Sequence, residues 1–222
     1  MGSKEKEPII YLIPGQGADH RLFKNLILDT EYEIRHIEYV TPEKASSMHE
    51  YARQLSRQIN QGQKIILIGC SLGGMLATEM IELLNPEKVI LISSAKSRKE
   101  IPFGYRLQRH VPIYKLVSGT LAKIGAQILQ PIFEPARNKD KDVFVSMLKD
   151  KDPKFLKRTI HMIINWDRVH YDDQIVHIHG DNDHTLPIKN VDYDYKVKDG
   201  SHLMVLTKCE EVSELVNRIL KE

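Results

Sequence analysis

The chain has 222 residues, 41% hydrophobic and 28% charged, enough for one domain with a sizeable core and far from the composition of a disordered chain. The longest uncharged stretch, Ile65 to Thr78, is too short to cross a bilayer, Met1 to Glu7 is polar rather than a secretory leader, and Cys70 and Cys209 make neither a disulfide framework nor a metal cluster; the expectation is a cytoplasmic chain that needs no metal or cofactor and has no nucleic-acid partner. The net charge of +2 hides an asymmetry, since Lys96 to His170 holds 16 Lys and Arg against 7 Asp and Glu, or +9, leaving −7 elsewhere; a solvated helical face and an anionic partner are both open readings of it.

Ile9 to Ile13 reads as the first buried strand, running into Pro14-Gly15-Gln16-Gly17-Ala18-Asp19. Ile34 to Tyr39 is the second strand. Ser47 and Glu50 form a capping box ahead of Met48, Tyr51, Leu55 and Ile59, which share one face of a crossover helix. A third strand, Lys64 to Gly69, leads straight into Gly69-Cys70-Ser71-Leu72-Gly73-Gly74 and a helix from Leu72 to Leu84 that Asn85 and Pro86 terminate. Val89 to Ile92 is the fourth strand.

The stretch from Lys96 to Tyr171 breaks this rhythm. It is expected to be helical throughout, with one helix carrying Leu116, Val117, Leu121, Ile124, Ile128 and Leu129. Another begins at Asp152 and Pro153, an N-cap and first-turn proline ahead of Phe155, Leu156, Ile160, Ile163 and Trp166. Arg137 to Asp142 is polar enough to be a flexible spot. Gln174 to His179 and Tyr193 to Val197 are the last two strands, and Val212, Leu215, Val216, Ile219 and Leu220 mark a closing amphipathic helix. Short β-branched runs alternating with amphipathic helices predict an α/β class: an open, mostly parallel sheet of about six strands with helices on both faces. The core is then 1–95 with 172–222, and 96–171 is a helical insertion.

The chemistry sits at strand ends. Glycines two residues either side of Ser71, Gly69 and Gly73, suit a sharp strand-to-helix turn that strains the serine backbone and leaves no room for side chains. A serine hydroxyl needs a base, and the base an orienting group. Downstream, the fifth strand ends in His179-Gly180-Asp181-Asn182-Asp183-His184, with Pro187 beyond, and the sixth is followed by Gly200-Ser201-His202. In a parallel sheet these ends share one edge, where ligands bind. Asp181, immediately beyond the strand, is the rival of Asp183 and is better placed to cap the turn.

On these motifs the chain resembles a small, capped member of the α/β-hydrolase superfamily. The resemblance implies Ser71 as nucleophile, His202 as general base and Asp183 as orienting acid. Pro14-Gly15-Gln16 resembles the superfamily's oxyanion loop with proline for histidine, so the N–H groups of Gln16 and Leu72 would face the developing oxyanion. The implied activity is cleavage of a small carboxylic ester or thioester. The insertion would be a cap that sets specificity, its +9 balance pointing to an anionic acyl carrier such as a coenzyme A thioester, or to a lipid surface. Trp166 is a candidate for the substrate pocket. Acyl transfer with the same residues and a non-catalytic binding module are the alternatives. His20, His177, His179 and His184 are expected to be structural or solvent-facing, with His179 beneath the acid loop, and Cys70 a buried residue behind the turn.

Overall fold

The computed structural model describes residues 7–29, 32–60, 62–121 and 141–222. Its centre is a parallel sheet of β1 (Ile9–Ile13), β2 (Glu33–His36), β3 (Ile65–Cys70), β4 (Lys88–Ile92), β5 (Ile175–Gly180) and β6 (Tyr195–Val197), in spatial order β2-β1-β3-β4-β5-β6. Every pairing is parallel, with Ile9 opposite both Glu33 and Ile65. Side chains alternate between faces along a strand, and both faces of this sheet are covered. Ile9, Tyr11, Ile13, Ile65 and Leu67 pack with Tyr51 and Leu55 of α1 (Met48–Ser56) and Leu76 and Met80 of α2 (Leu72–Leu84). Ile10, Leu12, Ile66 and Ile68 pack with Val212, Val216 and Ile219 of the closing helix, Cys209–Lys221. Strands buried on both sides are why these runs are continuously apolar. The edge strands depart from this: all four residues of β2 are exposed, and so is Lys196 in β6.

Local signals hold where they are strong. Ser47 and Glu50 make the full capping box at the start of α1. Asn85 ends α2 in the left-handed conformation (φ 47°) that asparagine tolerates better than most residues. Asp152 caps the helix Pro153–Asn165 through the Lys154 amide.

The expectation of continuous helix from Lys96 to Tyr171 is corrected. From Lys96 to Val117 the chain is a set of short turns, among them a five-residue helix, Phe103–Leu107, and a 3-10 turn, Ile113–Leu116. Pro102 and Pro112 open these two pieces and break the helical repeat. Val117 is extended, so Leu116 and Val117 are not part of the anticipated helix; Ile124, Ile128, Leu129 and Arg137 to Asp140 lie outside the described residues. Lys141–Asp150 (α3) and Pro153–Asn165 (α4) are regular helices. The whole segment lies between β4 and β5, which are neighbours in the sheet.

The strand order places the site. β1 has β2 on one side and β3 on the other, so the chain reverses its direction of travel across the sheet between them. At such a reversal the loops leaving two adjacent strands diverge and open a crevice at their carboxyl ends. Gln16 follows β1 and Ser71 follows β3.

Candidate functional site

Ser71 sits on the turn between β3 and α2 at φ 52° and ψ −119°, a conformation that side-chain-bearing residues adopt at a cost of about 1–3 kcal/mol. The surroundings hold it there. The Ser71 amide donates to the Ile92 carbonyl at 3.1 Å, and its own carbonyl accepts from the Ser94 hydroxyl at 2.6 Å. The flanking glycines are steric necessities: a Cβ on Gly69 would lie 2.4 Å from the Gly73 carbonyl oxygen, and one on Gly73 would lie 2.1 Å from that of Ile13.

The fold brings three separated residues into one hydrogen-bonded line. Ser71 Oγ is 3.0 Å from His202 Nε2, and His202 Nδ1 is 2.7 Å from Asp183 Oδ2. Asp183 is fully buried, with Oδ1 accepting from the amides of Thr185 and Leu186 at 2.8 Å each. Burial, the largest influence, acts to raise this carboxyl. His202 beside it, then His179 and the Leu186 amide, together outweigh that, and the group lies below the ordinary carboxylate range. Asp183 is therefore an anion at neutral pH, and as the acceptor of the 2.7 Å bond it keeps a proton on His202 Nδ1. The other ring nitrogen, Nε2, faces the Ser71 hydroxyl and accepts from it whenever the ring is neutral. Asp181 is placed differently: exposed, it accepts from the Asp199 amide at 2.6 Å and caps the turn after β6.

Behind the acid loop two buried histidines form a polar row. His179 Nε2 is 2.8 Å from the Leu186 carbonyl and 3.5 Å from Asp183 Oδ2, and its Nδ1 is 3.1 Å from His177 Nε2. His177 Nδ1 faces the Asp192 carbonyl at 3.0 Å, while its Nε2 accepts from the Ser94 amide. Burial, then the neighbouring His179, push His177 down to about 3, so it is a neutral ring in the fold. The row ties the Asp183 loop to the strand end that bonds Ser71. Nothing in the spacing of His177 and His179 announces it, although two inward-facing histidines on one strand are the signal that exists. Cys70 is buried, its thiol pushed up to about 12 by burial and by the Asp183 charge.

Gln16 is held by a contact that no local pattern reveals. Its side-chain amide donates to Thr159 Oγ1 at 2.7 Å and to the Leu156 carbonyl at 3.2 Å, both on α4. The loop after β1 is thereby joined to the 96–171 segment. Earlier in the same loop, Pro14 offers its carbonyl to the Tyr39 hydroxyl. The Leu72 amide belongs to the first turn of α2, whose N–H groups have no partner within the helix and carry the positive end of its dipole. Ser71 and His202 form part of the wall of a cavity of about 600 Å³. Met75, Ile101, Phe144, Leu148, Leu156 and Ile163 supply much of its apolar lining, most of them from the segment between β4 and β5.

Trp166 requires a correction. It is not part of this wall; it caps the end of α4, is buried, and donates its indole N–H to Glu79 Oε1 on α2 at 2.8 Å. An apolar helix face supplies core as readily as pocket, and here the indole pins the segment to the sheet's own helix. Among the described residues, no group of three or more His, Cys, Asp or Glu is arranged to hold a metal ion, and no helix is long and apolar enough to cross a membrane.

Solved structures carry the same architecture. A thermophilic esterase from Thermogutta terrifontis superposes with a TM-score of 0.76 at 15% identity, covering 97% of this chain and 90% of its own. A lipase-esterase related protein from Clostridium acetobutylicum gives 0.73 at 16% identity over 98% and 96%, and the enol-lactonase from Burkholderia xenovorans 0.72 at 12% over 100% and 94%. The chain has the α/β-hydrolase fold. In that fold, nucleophile-bearing turns and their partners sit at the carboxyl edge of the sheet, the edge that carries Ser71, Asp183 and His202 here. The sequence profile of UPF0227, an uncharacterised protein family, matches residues 18–100. No curated protein sequence matches the chain.

Proposed function

We propose that this chain is a serine hydrolase that cleaves a carboxylic ester or thioester through an acyl-enzyme intermediate. The observation that carries the reading is the line Ser71 Oγ, His202, Asp183, with contacts of 3.0 and 2.7 Å, facing an apolar cavity. Ser71 attacks the carbonyl carbon while its proton passes to His202 Nε2. Asp183 stabilises the imidazolium so formed and keeps the ring oriented. The negative charge that develops on the carbonyl oxygen is met by the N–H groups of Gln16 and Leu72, a pair in which one donor contributes on the order of 10²–10³ in rate. Collapse breaks the bond to the alcohol or thiol, which leaves with the proton from His202. Water, deprotonated by the same nitrogen, then attacks the acyl group on Ser71, and the acid is released with Ser71 reprotonated. The segment 96–171 acts as a cap over this chemistry, supplying most of the apolar wall and, through Thr159 and Gln16, setting the loop that bears one oxyanion donor.

The test is labelling by a fluorophosphonate, which phosphonylates only an activated serine, with the modified residue located by mass spectrometry. Labelling at Ser71 that disappears in Ser71→Ala and falls sharply in His202→Ala is the expected result. A folded protein that does not label sinks the proposal and favours a binding role for the same cavity. Product analysis with an added alcohol acceptor separates hydrolysis from acyl transfer.

A further inference from the structure

Beside the apolar cavity lies a second one of about 500 Å³, opposite in chemistry. Five cations from separate parts of the chain line it: Lys44 from the loop before α1, Lys115 from the 3-10 turn, and Lys154, Lys157 and Arg158 from the first turns of α4. No Asp or Glu is among its described lining. Two of the cations are held by backbone carbonyls: Lys157 Nζ donates to the Lys115 oxygen at 3.2 Å, and Arg158 Nη1 to that of Pro42. Such bonds orient a charge without neutralising it, and none of the five forms an ion pair with a described residue. Elsewhere this protein does pair its cations: Arg21 meets both Asp19 and Asp150 at 2.7 Å. His161, also in the wall, is depressed first by burial and then by Lys115, the direction a locally positive potential produces.

Like charges gathered around one concavity repel, and an anion entering it relieves that repulsion. Tyr114 and Lys157 belong to the walls of both cavities, so the two adjoin. We propose that the basic pocket binds the phosphate group of an amphiphilic ligand whose apolar chain occupies the cavity of Ser71. As an assignment of substrate class this rests on the hydrolase reading; as an assignment of a binding site it stands without it. Ammonium groups and a guanidinium fork suit phosphate oxygens. A phosphorylated thiol carrier of acyl groups and the headgroup of a lysophospholipid share that chemistry.

The experiment uses the unmodified chain and octyl phosphate, which contains no carboxylic ester, with 1-octanol as its neutral counterpart, in isothermal titration calorimetry. Octyl phosphate is expected to bind at least about tenfold more tightly than octanol at low ionic strength, with the advantage shrinking as salt is added. In Lys115→Glu/Lys154→Glu, where both positions are exposed, the advantage should vanish. Equal affinities for the two probes, or an advantage that survives the charge reversal, overturns the proposal. Displacement of octyl phosphate by coenzyme A ahead of glycerol 3-phosphate identifies the thiol carrier, and the reverse order identifies the lipid headgroup. Displacement by neither overturns the phosphate assignment. Binding is read without turnover, so the two readings fail separately: an unlabelled Ser71 with salt-sensitive octyl phosphate binding removes the hydrolase and leaves the pocket, and a labelled Ser71 with no preference between probes does the opposite.

Discussion

Asp183→Asn changes the site by little more than a charge and a proton, and the hydrogen bonds around the carboxyl group determine its effect. The amides of Thr185 and Leu186, each 2.8 Å from Oδ1, hold an acceptor in place at that atom. The asparagine oxygen must occupy it, and the amide nitrogen then faces His202 Nδ1. A donor there forces Nδ1 to accept, which moves the imidazole proton to Nε2, 3.0 Å from Ser71 Oγ. The ring then donates to the serine instead of taking its proton. On the proposed mechanism kcat should fall by about 10⁴-fold, or about 5 kcal/mol of barrier, with KM little changed, because the cavity wall is untouched. Asp181→Asn is the matched control. Its acceptor for the Asp199 amide survives the substitution, so kcat should stay within about threefold of the parent. Both variants are assayed on a p-nitrophenyl ester, and the imidazole tautomer is read directly from ¹⁵N shifts of His202. Asp183 is not the orienting acid if Asp183→Asn keeps more than about a tenth of the parent kcat, if Asp181→Asn proves the more damaging change, or if the proton remains on Nδ1.

Three further outcomes are expected from the packing. His177 is neutral in the fold at about 3 but titrates near its ordinary value of 6.5 when unfolded, so the stability it contributes is present above about pH 6.5 and is lost as pH falls towards 3. Between about pH 7 and pH 5 that amounts to about 2 kcal/mol, which should be missing from the pH dependence of His177→Asn in urea unfolding; coincident pH dependences would show the ring is not held neutral. Trp166→Phe removes the donor to Glu79 Oε1 within a buried cluster, and should cost about 1–3 kcal/mol with an unchanged denaturant slope; no measurable loss would mean the indole does not anchor the end of α4. Gly73→Ala places a Cβ 2.1 Å from the Ile13 carbonyl oxygen, so the soluble fraction, or the rate of fluorophosphonate labelling, should collapse. A fully active variant would contradict the tight turn described for Ser71.

The amino-acid sequence determines by itself those features whose causes are local. The apolar run Ile9 to Ile13, the capping box at Ser47 and Glu50, the helix from Leu72 to Leu84 stopped at Asn85, and the stripe from Val212 to Leu220 are all legible, because side-chain period and end-capping groups act within one or two turns of chain. Ser71, Asp183 and His202 are nameable for a related reason: each lies just beyond a strand, and a parallel sheet carries all such positions to one edge. The tertiary structure alone decides what distant elements do to one another. Prolines and mixed polarity between Lys96 and Val117 leave no single period to follow, so a reading as continuous helix fails there. An apolar face on α4 specifies burial but not the partner, and Trp166 is buried against Glu79 rather than in the cavity. The bond from Gln16 to Thr159, the row of His177 and His179, and the five cations gathered from Lys44 to Arg158 depend on how whole elements pack. Most of these partners lie far apart in the chain, and no sequence interval records their contacts.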